Sequence, residues 1–323
     1  MKNLDNWLKK SSFHHSDYSN IRNLVDLKEK RGLSISLCFP TLNEEKTIGK
    51  SIVIMKSELM QRYPLIDEIA VIDSGSTDNT CKIAGEFGAD TYHASDYLKE
   101  EGEAMGKGEN MWKALFLLKG DILMFIDADI SNIHHRFAYG LLGPLLYNHD
   151  LKFVKAYYKR PFKSSDGILP SGGGRVTEVL VRPLFSQFFP ELAGIIQPLS
   201  GEYAGYRELF EQIPFPIGYG VETGLLVDIY QKWGIDIIGQ ADLDLRIHRN
   251  QEITSLGKMS FGIMQTFWKR LKDYKDFGPI IPESTVLNQI FRQKNGEYEI
   301  SEKDIVEKER RPMIEVEAYK KNR

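Results

Sequence analysis

The sequence places two carboxylates, Asp127 and Asp129, on either side of Ala128, directly after the apolar run 122–126. Side chains two apart on an extended backbone face the same way. Two carboxylates on one face at a strand end suit a hard divalent cation, which takes oxygen ligands and can in turn hold a diphosphate. The plainer alternative is a solvated turn, where Asp is common. Gly106-Lys107-Gly108-Glu109 matches neither the P-loop nor G-x-G-x-x-G, which fails at Met111. Lys107 can still meet a phosphate as a point charge, or be a solvated lysine in a flexible turn. Pro170-Ser171-Gly172-Gly173-Gly174-Arg175-Val176-Thr177-Glu178 opens an apolar segment. Glycines before a helix start leave backbone N–H groups free to face an anion, and Arg175 and Thr177 add a guanidinium and a hydroxyl. A flexible glycine run ending in a helix cap accounts for the same residues. Arg246, His248 and Asn250 share a face if their segment is extended, and His248 is a metal ligand or simply a packed or surface residue. Glu222, in Gly218-Tyr219-Gly220-Val221-Glu222, is either a helix-start carboxylate or a pocket carboxylate binding sugar hydroxyls. His14, His15, His93, His134, His135 and His149 show no ligand spacing and read as structural or surface residues.

Positioning these groups falls to a repeating pattern. Residues 1–30 are polar with scattered apolar positions and read as one or two short helices docked on the body. Ile35, Leu37 and Phe39 alternate up to Pro40, as in a strand running into a loop. Ile48, Ile52, Met55 and Leu59 recur at helical spacing. The run 69–72 reads as a strand buried on both faces, ending at Asp73 in a Ser/Gly/Asp/Asn loop. A short helix over about 79–87, a small strand near 90–92 and a helix closed by Gly120 follow. DILMFIDAD then forms a third strong apolar strand. This β-α-β-α order predicts an α/β fold with a parallel, doubly wound sheet over residues 31–130. Ligands bind outside the carboxyl ends of such strands, so loops 40–45, 73–80 and 127–131 are expected to converge on one crevice. Pro183 is expected to kink or end the helix that follows the glycine run. The charged tail after about Pro282 reads as an arm or as a partly disordered segment.

The chain has 323 residues, long enough for a sizeable core, with 42% hydrophobic and 27% charged residues. Its net charge of -3 argues against general nucleic-acid binding, which needs a basic footprint. Cys38 and Cys81 do not make a disulfide scaffold and suit a reducing compartment. No long apolar stretch predicts a membrane span, and the N-terminus lacks a signal-peptide apolar region. A cytoplasmic protein without membrane or nucleic-acid partners is the expectation.

The motifs FPTLNEE, VIDSGSTDNT and D-x-D after three successive strands resemble the nucleotide-sugar-dependent glycosyltransferases of the GT-A fold. GKGENMW, FVKAYYKRPF, GGGRVTE, PELAGIIQPLSGEYAGYRELF, PIGYGVETGLLVD and LRIHRN look like the glucosyl-3-phosphoglycerate synthase family, from roughly residue 5 to 270. Ala128 stands where a serine also occurs. The resemblance implies a Rossmann-like, mostly parallel sheet flanked by helices, with a mixed acceptor-binding half. It divides the chain into an N-terminal helical segment (1–30), a nucleotide-sugar subdomain (31–135), an acceptor subdomain (136–281) and a C-terminal arm (282–323). It implies retaining transfer of glucose from a nucleoside-diphosphate glucose to 3-phosphoglycerate, with Mg²⁺, Mn²⁺ or Co²⁺, in a homodimer. The product is a precursor of glucosylglycerate, a compatible solute. By resemblance, Pro40, Thr41, Leu42, Glu44 and Ser74 line the nucleoside pocket, and Lys107, Asp127 and Ala128 lie against the donor. Asp129 and His248 hold the cation. Glu222, Arg246, Tyr219 and Leu199 meet the sugar, with Met259 behind them. Gly174, Arg175, Thr177 and Asn250 hold the acceptor. No residue is an obvious nucleophile, which favours front-face attack, with Glu222, Asp129 and Arg246 as the catalytic group. UDP or GDP, a mannose donor, a polyprenyl-phosphate acceptor and a non-catalytic nucleotide-sugar sensor remain open alternatives. A nucleotidyltransferase would carry a Gly-rich phosphate loop after the first strand, where this chain has Pro-Thr-Leu-Asn-Glu-Glu.

Overall fold

Apolar runs of the first half become strands and the stretches of helical period between them become helices. The computed structural model describes residues 2–160, 162–164, 167–169, 174–247, 253–274, 286–294 and 296–304. Helix α1 (Lys2–Ser11), strand β1 (Ser12–His14) and helix α2 (Ile21–Lys30) come first. Asn20 caps α2, its side chain accepting from the Asn23 amide at 3.4 Å. The expected repeat follows as β2 (Ile35–Thr41), α3 (Ile48–Lys56), β3 (Glu68–Asp73), α4 (Thr80–Glu86), β4 (Asp90–His93), α5 (Lys107–Leu117) and β5 (Ile122–Phe125). Then come α6 (Arg136–Tyr147), β6 (Phe153–Lys159) and a small hairpin of β7 (Phe162–Ser164) and β8 (Gly167–Leu169). Next are α7 (Arg182–Phe188), β9 (Tyr203–Tyr206), α8 (Arg207–Phe210), α9 (Val221–Trp233) and β10 (Ile238–Leu245). The last elements are α10 (Ile253–Tyr274) and a hairpin of β11 (Val286–Arg292) and β12 (Tyr298–Asp304).

One eight-stranded sheet, ordered β1-β10-β6-β9-β5-β2-β3-β4, organises the chain and runs across the division at residue 135. It is parallel except for β9, which is antiparallel to both β5 and β6. Alternate residues of one strand feed different cores. Ile35, Leu37 and Phe39 of β2 join one cluster, whereas Cys38 joins the other. Ile69 and Val71 of β3 split from Ala70 and Ile72 in the same way. Helices cover both faces, so both sets are buried, which explains why these strands read as unbroken apolar runs. Burying each such side chain contributes about 1.5–3 kcal/mol. The Pro40 position, which cannot donate to a ladder, lies beyond Cys38, where the pairing of β2 with β5 stops.

The structure departs from the sequence reading at several points. The N-terminal segment contains a strand as well as helices: β1 pairs in parallel with β10, a partner more than 200 residues away. Helix α5 ends at Leu117, and Gly120 is not its cap. A side chain at Gly120 would meet the Ser36 amide nitrogen at 2.5 Å, so close packing explains that glycine. Asp127 and Asp129 lie in a turn past β5, not on an extended strand. Arg246 likewise lies just past the end of β10. Pro183 does not end the helix, which continues to Phe188. It occupies the first turn of α7, where a missing N–H is tolerated, directly after a π-helical turn over Thr177–Val181. The C-terminal region begins as a hairpin packed on the body: the Asn288 amide donates to Ser186 Oγ at 3.2 Å and Tyr298 meets Tyr157 edge-on. Among the described residues, no helix is long and apolar enough to cross a membrane.

Candidate active site

Loops at the carboxyl ends of β2, β3 and β5 meet the starts of α5 and α9 around a cleft of about 500 Å³. The loop after β2 contributes Pro40, Thr41, Leu42 and Glu44, and the loop after β3 contributes Ser74. Asp73 ties the two loops together. Its Oδ1 accepts from Thr41 Oγ1 at 3.0 Å and its Oδ2 from the amides of Gly75 and Ser76 at 2.9 and 2.7 Å. Burial pushes the Asp73 carboxyl up, but the Ser76, Thr41 and Gly75 donors outweigh it and hold the group below the usual carboxylate range. Asn110 locks α5 onto this floor, accepting from Ser74 Oγ at 2.8 Å and donating to the Ile72 carbonyl at 2.8 Å. Asn110 escaped the sequence reading; its only signal was a polar residue within the apolar face of α5.

The glycines around Lys107 are close-approach residues, and the flexible turn is not seen. A side chain at Gly106 would meet the Ile217 carbonyl at 2.3 Å, and one at Gly108 the Pro216 carbonyl at 1.8 Å. The Gly108 amide donates to that Ile217 carbonyl at 3.0 Å. This contact sets the 216–220 loop, with Tyr219 and the first turn of α9, against the start of α5. Lys107 Nζ therefore lies between two carboxylates, 2.5 Å from Asp127 Oδ1 and 2.8 Å from Glu222 Oε1.

On the other side Arg246 enters from the end of β10. Its Nη2 donates to Asp127 Oδ2 at 2.9 Å and to Asp129 Oδ1 at 2.8 Å. Its Nε lies 3.1 Å from Glu202 Oε1, close enough to pair as charges but not aligned as a hydrogen bond. Glu202 is fully buried beside β9 and accepts from Tyr158 Oη at 2.5 Å. Sequence reasoning missed Glu202, since a single carboxylate before YAGY carries no spacing signal. Burial drives the Asp127 carboxyl up, yet Lys107 and Arg246 reverse this and hold it well below the usual range. For Asp129 burial wins over Arg246, aided by the negative Asp127, and the carboxyl is raised. Glu202 is raised by burial against the pull of Arg246. Lys107 is held well above its ordinary value because Asp127 and Glu222 overcome its burial. Beneath them Lys155, 1% exposed, donates to the Ser200 carbonyl at 2.7 Å, and burial lowers its pKa to about 7.

Lys107 and Arg246 thus face four carboxylates, Asp127, Asp129, Glu202 and Glu222. The carboxylate oxygens gathered here fit a divalent cation at the cleft, with the half-exposed Asp129 as the accessible carboxylate.

Of the expected site residues, Pro40, Thr41, Leu42, Glu44, Ser74, Lys107, Asp127, Ala128, Asp129, Leu199, Tyr219, Glu222 and Met259 all line this cleft. Met105, Gly106, Asn110, Gly218 and Ile263 join them without having been expected. Arg246 braces the aspartates from behind. Gly174, Arg175 and Thr177 open the turn before α7 and are not part of the lining. Gly174 has φ of 89°, a conformation that suits glycine, and Arg175 is exposed. His248 and Asn250 lie outside the described residues.

Residues 36–159 match the family described as Glycosyl transferase family 2. The chain is 54% identical to the glucosyl-3-phosphoglycerate synthase of Petrotoga mobilis over 98% of its own length and 97% of the relative's. It is similar in structure to mannosyl-3-phosphoglycerate synthase from Rubrobacter xylanophilus, with a TM-score of 0.79, 35% identity and 94% of each chain covered. It is also similar to glucosyl-3-phosphoglycerate synthase from Mycobacterium tuberculosis, solved in complex with Mn²⁺, uridine-diphosphate-glucose and phosphoglyceric acid. There the TM-score is 0.70 and identity 38%, over 88% of this chain and 90% of that one.

Proposed function

This chain belongs to the glucosyl-3-phosphoglycerate synthases within glycosyl transferase family 2, and from that premise we propose the reaction it performs and the residues that perform it. It transfers glucose from a nucleoside-diphosphate glucose to 3-phosphoglycerate, giving glucosyl-3-phosphoglycerate, and the transfer is metal-dependent. The observation that carries the residue assignment is the charge cluster at the mouth of the cleft. Asp129, with His248, would hold Mg²⁺, Mn²⁺ or Co²⁺. When bound, that cation supplies Lewis-acid stabilisation of the departing nucleoside diphosphate. Lys107 adds a fixed positive charge beside the donor, oriented by Asp127 and Glu222. Arg246 clamps both aspartates from behind and acts on the sugar through them, while Glu202 balances its charge from below. Pro40, Thr41, Leu42, Glu44 and Ser74 form the nucleoside side of the cleft. Leu199, Tyr219, Glu222 and Met259 surround the sugar and exclude water. Gly174, Arg175, Thr177 and Asn250 would hold the acceptor's phosphate and carboxylate. The α configuration is retained through front-face attack by the acceptor hydroxyl, and Glu222 binds the sugar instead of acting as a nucleophile.

We further infer a cytoplasmic homodimer whose product leads to a compatible solute. Two cysteines without a disulfide between them support a reducing compartment. A mannose donor is the second reading, favoured by the likeness to the mannosyl enzyme at a TM-score of 0.79. The test mixes 3-phosphoglycerate with UDP- and GDP-linked glucose and mannose, with Mg²⁺ or Mn²⁺ and then with EDTA. A phosphorylated glucosylglycerate that fails to form with EDTA supports the assignment. Transfer of mannose alone would move it to the second reading. Consumption of no donor in the presence of 3-phosphoglycerate would sink it.

A further inference from the structure

His14, His15 and Asp244 come together at the far edge of the sheet. The β1–β10 pairing places the end of β1 opposite the end of β10, and His14 pairs in register with Asp242. Three strand spacings, about 14 Å in all, separate β10 from β5, whose following turn carries the donor-site aspartates. Asp244 has φ of 68°, rare for a residue with a side chain, just where the register of β10 against β6 shifts. That backbone aims its carboxylate at two imidazoles. His15 Nε2 lies 2.6 Å from Asp244 Oδ2 and His14 Nε2 lies 3.5 Å from Asp244 Oδ1. His15 turns its other nitrogen, Nδ1, to Tyr139 Oη at 3.1 Å, whereas His14 Nδ1 accepts from the Ser16 amide at 3.2 Å with Ser16 Oγ beside it at 2.7 Å. Metal-binding histidines are held as His15 is, with one nitrogen on an oxygen and the other aimed at the ion, and an ion on His14 Nε2 requires its proton to move to Nδ1, where Ser16 Oγ can accept it.

We propose that His14, His15 and Asp244 form a divalent transition-metal site, separate from the donor-site cation, that fastens β1 to β10, the strand that leads into Arg246. Two imidazoles and one carboxylate suit Zn²⁺ or Co²⁺ better than Mg²⁺, with water completing the coordination. Ligand atoms around a tetrahedral zinc stand about 3.3 Å apart, from bond lengths near 2.0–2.1 Å. His14 meets Asp244 Oδ1 at 3.5 Å and His15 meets Oδ2 at 2.6 Å, so an ion held by one oxygen requires the carboxylate to rotate and its contact with His15 to open by about 0.7 Å. Side-chain exposures of 41% for His14 and 45% for Asp244 leave that rotation and ion entry free. His15, at 13%, supplies the rigid side, seated against α6 where a side chain at Gly140 would meet its Cβ at 2.9 Å.

The test uses the untagged full chain, stripped with EDTA, dialysed, and titrated with Zn²⁺ or Co²⁺ in the absence of nucleotide. One equivalent is expected to bind, with the visible absorption of four-coordinate Co²⁺ and a rise in Tm. Asp129→Asn should bind it equally. Asp244→Gly, which suits the positive φ, and the exposed His14→Gln should each weaken binding by more than about tenfold. Both should remain folded by circular dichroism, so a loss of metal is not a loss of structure. Equal binding in the wild type and Asp244→Gly would overturn the proposal, as would absence of binding in the wild type. Loss of the ion in Asp129→Asn would also overturn it, assigning the ion to the donor cleft.

Discussion

Gly201→Ala tests the charge cluster without altering any charge. A Cβ at this position would lie 2.0 Å from Asp127 Oδ2 and 2.4 Å from Oδ1. Gly201 has no positive φ, so alanine suits its backbone and the effect falls on the carboxylate. Ordinary contact begins near 3.5 Å, so the carboxylate must retreat by about 1.5 Å. That movement breaks the 2.5 Å pairing with Lys107 and the 2.9 Å pairing with Arg246. Misplacing a catalytic constellation by about 1 Å lowers rate by roughly 100-fold, equivalent to about 2.7 kcal/mol of transition-state stabilisation. Overpacking should lower global stability by about 1–3 kcal/mol. The assay follows glucose transfer to 3-phosphoglycerate at varied donor, with Tm measured in parallel. Gly205→Ala is the control: its Cβ would press on the Phe210 ring at 3.0 Å and the Lys152 carbonyl at 3.1 Å, away from the carboxylates. It should lose stability but keep the kcat/KM of its folded fraction. Wild-type kcat/KM in Gly201→Ala would refute the reasoning, because Asp127 would then be free to move without consequence.

Lys107→Met should leave Asp127 and Glu222 facing each other without their shared cation, and kcat/KM should fall by about 10²–10³-fold. Steady-state kinetics with UDP-glucose checks this, and a change confined to Tm would contradict it. Lys155→Met addresses pH. The native Lys155 pKa of about 7 lies below the ordinary 10.5, so between these values the unfolded chain binds the extra proton. Lys155 therefore makes stability rise with pH across that window, by at most about 1.4 kcal/mol per pH unit. Urea midpoints from pH 7 to 10 should rise less steeply in Lys155→Met than in the wild type; parallel curves would count against the buried, neutral lysine.

What the sequence determined by itself was local. The apolar runs at 35–39, 69–72 and 122–126 announced strands buried on two faces, because each residue of such a strand must meet a helix layer on one side or the other. Helical periods between them forced parallel crossovers, and parallel strands place their following loops at one end. The convergence of the loops after residues 40, 73 and 127 on one cleft was legible for that reason. Tertiary structure decided the rest. Arg246 bridges Asp127 and Asp129 across 119 and 117 residues, a pairing that depends on where β10 enters the sheet. Glu202 counts only because the antiparallel β9 inserts between β5 and β6. His14 and His15 had no ligand spacing along the chain, since their carboxylate comes from residue 244 through a parallel edge pairing. Gly106 and Gly108, open to a flexible-turn reading, and Gly120, read as a helix end, proved to be points of close backbone approach. Period and composition report which face of an element is buried, but only strand order and register bring charges distant in sequence within hydrogen-bonding reach.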